Sequence, residues 1–112
     1  CPVVAKNEKT LEICVHGGAV HFSKDSIETF NGKIFGVPVK GENWMPLKSG
    51  YLRKVSQEHG MTKLEKDDFE SINVGEVMTI LPIHSCLTAE CLGAYTTTRG
   101  ERITHMSQKS RV

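Results

Sequence analysis

The sequence has 112 residues, with 14 basic and 13 acidic side chains and a formal net charge of +1. This length allows one domain that buries roughly two thirds of its unfolded surface around a single core. The balanced charge gives no field for a nucleic acid backbone or an anionic membrane, and no apolar stretch reaches the about 20 residues of a membrane-spanning helix. Because the first residue is Cys1 and not Met, the sequence starts either at a processed terminus or within a longer protein, and we expect the second.

Short apolar or alternating segments recur along the chain and are separated by turn residues. They cover residues 2–5, 11–15, 20–22, 34–37, 51–55, 61–64, 77–81, 94–98 and 102–105. Weak helical patterns cover residues 23–30, where Ser23 is a candidate cap, and residues 63–72. This pattern predicts an all-β fold for residues 1–112, a small antiparallel sandwich or partly closed barrel with at most short helical turns.

The four cysteines are Cys1, Cys14, Cys86 and Cys91. Their spacings match neither a compact secreted disulfide framework nor paired C-x-x-C zinc motifs, so we expect reduced thiols in a cytoplasmic protein. A redox pair of Cys86 and Cys91 is an alternative, although nothing in the sequence around them activates an attacking thiol.

The most informative motif is His84-Ser85-Cys86, which follows the predicted strand at residues 77–81. If the chain stays extended past Pro82, side chains two positions apart point to the same side, so His84 and Cys86 face one spot. Imidazole nitrogen and thiolate sulfur are favoured ligands of zinc, and a site with open coordination positions admits water or substrate. The alternative is structural, because cysteine is commonly buried and a histidine beside a strand end is commonly a surface residue.

Four motif segments extend this observation over nearly the whole chain. They are residues 1–5 (CPVVA), residues 17–25 (GGAVHFSKD), residues 56–60 (SQEHG), and residues 74–77 (VGEV) continuing into residues 81–88 (LPIHSCLT). Together they resemble the C-terminal β-domain of the D-serine dehydratase and D-threonine aldolase family. Enzymes of that family depend on pyridoxal phosphate and are built like alanine racemase.

The resemblance implies a divalent metal ion held by His84 and Cys86 beside the cofactor. Proteins that resemble D-threonine aldolase usually carry Asp at the second position, whereas those that resemble D-serine dehydratase carry Cys, as this chain does. Because thiolate favours the softer ion, the implied chemistry is zinc-assisted elimination of the β-hydroxyl from a D-β-hydroxy amino acid. Retro-aldol cleavage is the alternative reaction.

The resemblance also implies pyridoxal phosphate bound by a lysine in a barrel domain outside this chain, and a homodimer. His59 is implied as a catalytic residue, with Glu58 to orient it, or else as a turn residue before Gly60. Tyr95 is a candidate to line the cofactor cleft, although an aromatic residue in a strand is commonly part of the core. We expect the chain alone not to turn over D-serine.

Two interpretations from other classes of protein stand beside this one. The first is a free-standing β-domain for protein interaction or metal binding without catalysis, in which His84 and Cys86 are incidental. The second is an oligonucleotide-binding barrel, but Trp44, Tyr51 and Tyr95 with scattered lysines do not make an aromatic and basic groove.

Overall fold

The computed structural model describes residues 1–40, 44–47 and 49–104. In chain order its elements are β1 (Val3–Asn7), β2 (Glu12–Val15), α1 (Ala19–Phe22), β3 (Ile27–Thr29), β4 (Gly32–Ile34), β5 (Gly36–Lys40), β6 (Met45–Pro46), β7 (Tyr51–Val55), β8 (Gly60–Lys63), α2 (Lys66–Ser71), β9 (Thr79–Pro82), α3 (Ser85–Leu92), β10 (Ala94–Thr96) and β11 (Arg102–Thr104). Strands predominate and the helices are short, which confirms the all-β prediction. Over the described ranges, no helix is both long and apolar enough to cross a membrane.

All strand pairs are antiparallel and form four separate sheets in the part of the chain that the structure describes. The largest sheet has the order β1-β2-β8-β7, and a second has the order β6-β5-β9. Two hairpins, β3-β4 and β10-β11, form two-stranded sheets of their own. These sheets do not close into a barrel, so of the two predicted architectures the small sandwich is the one observed.

The core lies against one face of the four-stranded sheet. Ile13 and Val15 alternate with Glu12 and Cys14 along β2, and the two aliphatic side chains are fully buried. The core cluster is completed by side chains from the other elements, namely Val3, Leu47, Leu52, Leu64, Phe69 and Met78. Phe69 connects α2 to this cluster.

The predicted strands agree best with the structure in the hairpin of β7 and β8. The predicted strand at residues 51–55 coincides with β7, and the prediction at residues 61–64 differs from β8 by one position at each end. The prediction of one strand at residues 34–37 was wrong in its continuity, because Phe35 separates the end of β4 from the start of β5, although residues 34, 36 and 37 are in strands. The strands β3 and β6 were not predicted, and the end of the last predicted strand, residue 105, lies outside the described residues.

The helices agree less well with the sequence patterns. α2 lies within the predicted helix at residues 63–72, which is confirmed. The predicted strand at residues 20–22 was wrong, since those residues are in α1, and the predicted helix at residues 23–30 was wrong, since Ser23 ends α1 instead of starting a helix. No sequence pattern indicated α3, because Leu87 and Leu92 are exposed and the buried residue of this helix is Thr88.

Candidate active site

Two of the four motif segments are joined through backbone hydrogen bonds at the start of α1. The amide of Ala19 donates to the carbonyl oxygen of Ser56 at 2.8 Å, and the amide of Val20 donates to that of Gln57 at 3.0 Å. The first amides of a helix have no partner within the helix. Here the turn between β7 and β8 supplies acceptors for two of them, so residues 17–25 and 56–60 form one unit.

The first motif segment is joined in the same way to the fourth. The amide of Gly75 donates to the carbonyl oxygen of Val3 at 2.9 Å, and the amide of Val3 donates to that of Glu76 at 2.8 Å. A Cβ atom built on Gly17 falls 2.6 Å from the sulfur of Cys1, so the second segment also lies directly against the first. Segments far apart in the sequence therefore meet at one place in the fold.

Helix α3 is attached to α1 by a buried hydroxyl. Thr88 Oγ1 lies 3.0 Å from the carbonyl oxygen of Phe22 and 3.1 Å from that of His84. The hydroxyl hydrogen can be directed at either acceptor. This contact fixes the N-terminal end of α3, and with it the backbone of His84, against the end of α1.

The geometric premise behind the metal prediction was wrong. Strand β9 ends at Pro82, and α3 begins at Ser85 with His84 as its N-cap residue at φ −129° and ψ 98°. Alternation along an extended chain therefore does not relate His84 and Cys86. Both residues lie instead at the N-terminal end of α3, and both are exposed. That they bind a metal together stays a prediction.

The ring of His84 is held by a carboxylate from the second motif segment. His84 Nδ1 lies 3.0 Å from Asp25 Oδ2, and the two side chains are 45% and 41% exposed. An ionised carboxylate only accepts hydrogen bonds, so this contact requires the hydrogen to be on Nδ1. In the neutral form of the ring, Nε2 then carries the lone pair and can bind another partner.

The chemistry of these donors fits a divalent metal ion. His84 Nε2 offers an imidazole nitrogen, and Cys86 has a free and exposed thiol. Nitrogen and sulfur donors suit zinc better than magnesium or calcium, which prefer oxygen. Over the described ranges no three His, Cys, Asp or Glu side chains are arranged to hold a metal ion, so these two residues would leave coordination positions to other groups.

The other cysteines do not form part of such a site. Cys86 and Cys91 are five positions apart within α3, which separates their Cα atoms by about 7.5 Å along the helix axis, beyond the reach of an unstrained disulfide. All four cysteines are free thiols. Burial raises the pKa of the Cys14 thiol, which keeps that side chain protonated.

His59 lies in the turn before Gly60, which was the structural alternative to a catalytic role for this residue. The carbonyl oxygen of His59 accepts from the amide of Ser56 at 2.9 Å and closes the hairpin between β7 and β8. Its ring lies 5.4 Å from the ring of His16, which in turn lies 5.7 Å from that of His21. The catalytic role of His59 stays a prediction.

His16 and His21, which were not predicted as site residues, lie near His59. His21 lies within the motif at residues 17–25, and its Nδ1 accepts from the amide of Gly18 at 3.0 Å. That motif was the available signal for His21, whereas no pattern in the sequence distinguishes His16.

Tyr95 is connected to α3 through its hydroxyl group. The hydroxyl donates to the carbonyl oxygen of Ala89 at 2.8 Å, near the C-terminal end of the helix. Partial burial raises the pKa of the Tyr95 hydroxyl, so it keeps its hydrogen for this bond. The proposed contact with a cofactor is not tested by this geometry and stays a prediction.

A cleft of about 220 Å³ lies elsewhere, between the C-terminal end of α2 and the strands β5 and β9. Its walls include Val39, Ile72 and Met78, with Lys40 and Glu76 as charged groups. None of His59, His84, Cys86 or Tyr95 lines it. The cleft is therefore separate from the candidate site.

The fold and the motif segments together define a β-domain of the kind found in amino acid dehydratases. The sequence model of one family, described as the putative serine dehydratase domain, matches residues 1–98. The chain belongs to this family.

Known relatives agree with this assignment. The chain is 29% identical over 98 residues to the D-serine dehydratase of Schizosaccharomyces pombe (strain 972 / ATCC 24843), covering 88% of this chain and 22% of that protein. The fold is similar to an alanine racemase-like protein from Idiomarina loihiensis, with a TM-score of 0.76 and 25% identity, covering 92% of this chain and 29% of that one. It is also similar to D-threo-3-hydroxyaspartate dehydratase from Delftia sp. HT23, with a TM-score of 0.73, 22% identity and the same coverage.

The chain thus spans between 22% and 29% of the length of these relatives. Two further structures of a D-threo-3-hydroxyaspartate dehydratase carry single substitutions by alanine. One replaces a cysteine and is the metal-free form, and the other replaces a histidine two positions earlier.

Proposed function

We propose that residues 1–112 are the C-terminal β-domain of a longer pyridoxal-phosphate enzyme that eliminates the β-hydroxyl group of a D-β-hydroxy amino acid. In this proposal His84 and Cys86 hold a divalent metal ion, with zinc favoured, and D-serine is the first substrate to test. The observation that carries the proposal is the His84–Asp25 contact at the N-terminal end of α3, which leaves Nε2 available two positions from a free thiol.

The His-x-Cys spacing supports the metal assignment. A relative of known structure was studied with alanine at a cysteine and at a histidine two positions earlier, and the first of these forms is metal-free. His84 and Cys86 have the same spacing and order. Each donor suits a borderline-soft ion, and together they leave positions for water, substrate or groups from the rest of the enzyme.

A metal ion at this place supplies Lewis-acid polarisation of the substrate hydroxyl, and pyridoxal phosphate supplies an electron sink for the α-carbon. The chain's own residues prepare that chemistry. With the ion bound, His84 would contribute an imidazole nitrogen and Cys86 a thiolate sulfur. Asp25 holds the imidazole ring, and Thr88 holds the backbone of His84 through its hydroxyl group.

Coverage of the relatives supports the longer enzyme. The relatives contain more than two thirds of their length beyond the part that matches this chain. The proposed pyridoxal-phosphate domain, with its lysine, belongs to that part, and a homodimer is the proposed assembly. D-Serine is proposed from the D-serine dehydratase among the relatives, while retro-aldol cleavage has no observation in its favour here.

Metal analysis of the full natural protein tests the site. Wild type, His84→Ala and Cys86→Ala are purified without chelators, and the zinc content per chain is measured by inductively coupled plasma mass spectrometry. We expect about one zinc in wild type and loss in both variants, since each removes one of the two ligands proposed in this domain. Cys91→Ala is the matched control, because it removes an exposed thiol from the same helix and should keep its zinc.

Pyruvate release from D-serine is measured on the same four proteins. We expect wild type and Cys91→Ala to form pyruvate and the two ligand variants to be slower by about 100-fold or more, because several kcal/mol of charge stabilisation is lost. Equal zinc content in all four proteins overturns the site. Normal zinc content with glycine and an aldehyde as products overturns the dehydratase reaction instead.

A further inference from the structure

The loop after α1 fixes the carboxylate of Asp25 before it reaches His84. Ser23 Oγ accepts from the amide of Asp25 at 3.1 Å, and Asp25 Oδ1 accepts from the amide of Ser26 at 3.0 Å. With one carboxylate oxygen used by the loop, the other, Oδ2, is directed at His84 Nδ1. These two contacts together restrict the rotation of the carboxylate.

His84 is connected to the same region by a second, independent contact. Thr88 Oγ1 lies within hydrogen-bond distance of both the His84 carbonyl oxygen and the Phe22 carbonyl oxygen at the end of α1. Backbone and ring of His84 are thus held by adjacent parts of one segment, residues 22–26. A ring held at both ends of its rotatable bonds loses little further freedom when it binds a ligand.

We propose that Asp25 is the positioning residue of this site, and that it selects the Nδ1–H tautomer of His84 so that Nε2 is presented to the metal ion. This inference rests on the proposed function. A histidine ligand that donates its other ring hydrogen to a carboxylate is fixed in orientation and is the more basic ligand for it. Asp25 itself acts through His84 and is not a ligand in this arrangement.

Replacement by Asn separates this role from a purely structural one. In Asp25→Asn the amide oxygen can still accept from the Ser26 amide, which keeps the loop. The NH₂ group then takes the place of Oδ2 and donates to His84 Nδ1, which selects the opposite tautomer. The reversed amide would set its NH₂ group against the Ser26 N–H, two donors facing each other. A structural role predicts that Asn is tolerated, whereas tautomer selection predicts that it is not.

The tautomer is read directly in the full natural protein, freed of metal and labelled with nitrogen-15 in histidine. Ring nitrogen shifts are recorded at a pH where His84 is neutral, and His84→Gln assigns the signal. We expect the Nδ1–H form in wild type, the Nε2–H form in Asp25→Asn, and both forms in Asp25→Ala. Asp67→Asn, which changes an exposed carboxylate at the start of α2, should keep the wild-type tautomer.

Zinc affinity, measured by competition with a chelator, is the second readout. We expect Asp25→Asn and Asp25→Ala to bind zinc about 10- to 100-fold more weakly than wild type, with Asp67→Asn unchanged. Thermal unfolding of each variant shows that the fold is kept.

Three results overturn the inference. They are a wild-type tautomer with hydrogen on Nε2, an unchanged affinity in Asp25→Asn, or a complete loss of zinc in Asp25→Ala equal to that in His84→Ala, which would make Asp25 a ligand. Failure of the proposed function is distinguishable, because zinc binding would then be the same in wild type and His84→Ala whatever tautomer is found.

Discussion

Gly18 lies directly against the backbone of His59. A Cβ atom built on Gly18 falls 2.5 Å from the His59 amide nitrogen and 2.5 Å from the Ser56 carbonyl oxygen. These are backbone atoms that cannot rotate away as the end of a side chain can. The absence of a Cβ atom is what lets α1 begin close enough to the hairpin turn for its first amides to bond to it.

We therefore expect Gly18→Ala to lower the free energy of unfolding by about 3 kcal/mol, the upper end for overpacking, because backbone and not side chain must move. Gly100→Ala is the control, since a Cβ atom there has open space around it. Its cost comes from the positive φ of 86° and should be about 1 kcal/mol. Urea unfolding compares the two variants, and equal losses would contradict the contact argument.

The strands could be predicted where local pattern and tertiary packing agree. In β7, Leu52 is buried, Tyr51 is half-buried, and Arg53 and Lys54 are exposed, so a short segment of apolar and charged residues between turn residues marks the strand. The short helix α1 could not be predicted from local pattern, because Val20 and Phe22 are typical strand residues. These residues are helical because the turn at residues 56–59 provides two hydrogen-bond acceptors for the start of the helix. That interaction connects parts of the chain that no local pattern relates.

Two buried threonines offer a matched pair of substitutions. Thr62 is fully buried in β8, and its hydroxyl has no hydrogen-bond partner among the described residues. Removing an unpaired buried hydroxyl avoids its desolvation cost, so we expect Thr62→Val to raise the free energy of unfolding by about 1 kcal/mol.

The other member of the pair, Thr88, is nearly as buried but has acceptors at His84 and Phe22. We expect Thr88→Val to lower the free energy of unfolding by about 1–2 kcal/mol, because it removes this bond between α1 and α3. Both values come from urea unfolding under one set of conditions. If both substitutions change the free energy of unfolding in the same direction, the argument from hydrogen-bond partners is contradicted.

Acid stability should depend on Glu12. Its carboxylate accepts from Arg53 Nε, and this hydrogen bond holds the pKa of Glu12 below its usual range although burial acts to raise it. The unfolded chain therefore binds more protons in that range, so stability is present above the ordinary Glu pKa of about 4.3 and is lost as pH falls through the lower native pKa. Since the Arg53 side chain is 46% exposed, the contribution should stay below about 1 kcal/mol.

Glu12→Gln and Arg53→Gln should each flatten the pH dependence of unfolding in that acid range, and the double variant should add nothing to either. Lys54→Gln removes the same charge from the neighbouring position of β7 and should leave the slope as in wild type. Unfolding curves at several pH values between 3 and 6 make the comparison. If Glu12→Gln keeps the wild-type slope of the free energy of unfolding against pH in this range, the Glu12–Arg53 pair is not the source of that slope.

Ser23 holds a backbone conformation that residues other than glycine rarely adopt, with φ 74° and ψ 176°. Such a conformation costs about 1–3 kcal/mol. Ser23→Ala removes the hydroxyl bonded to the Asp25 amide and keeps the strain, whereas Ser23→Gly removes both. We expect the glycine variant to be the more stable of the two by about 1 kcal/mol, after the greater freedom of glycine in the unfolded chain is taken into account. Thermal unfolding of the pair measures the difference, and a more stable alanine variant would show that no strain is stored there.

The residues of the candidate site were chosen from the sequence, but their geometry was not predicted. His84 and Cys86 were chosen because imidazole nitrogen and thiolate sulfur are favoured zinc ligands, and their metal binding stays a prediction. The helix that carries Cys86 has no buried apolar stripe, since Leu87 and Leu92 are exposed. No sequence pattern therefore predicted that a helix would follow Pro82. In the sequence Asp25 is only one residue of a motif, and its contact with His84, 59 positions away, follows from packing of α1 against α3.

Several contacts between distant parts of the domain are backbone hydrogen bonds: Ala19 to Ser56, Val20 to Gln57, and Met78 to Cys1. Every amino acid except proline brings the same amide and carbonyl to such a contact. Evolution is then free to exchange most side chains there while the architecture stays in place, which is how chains with about three quarters of their residues different can still superimpose.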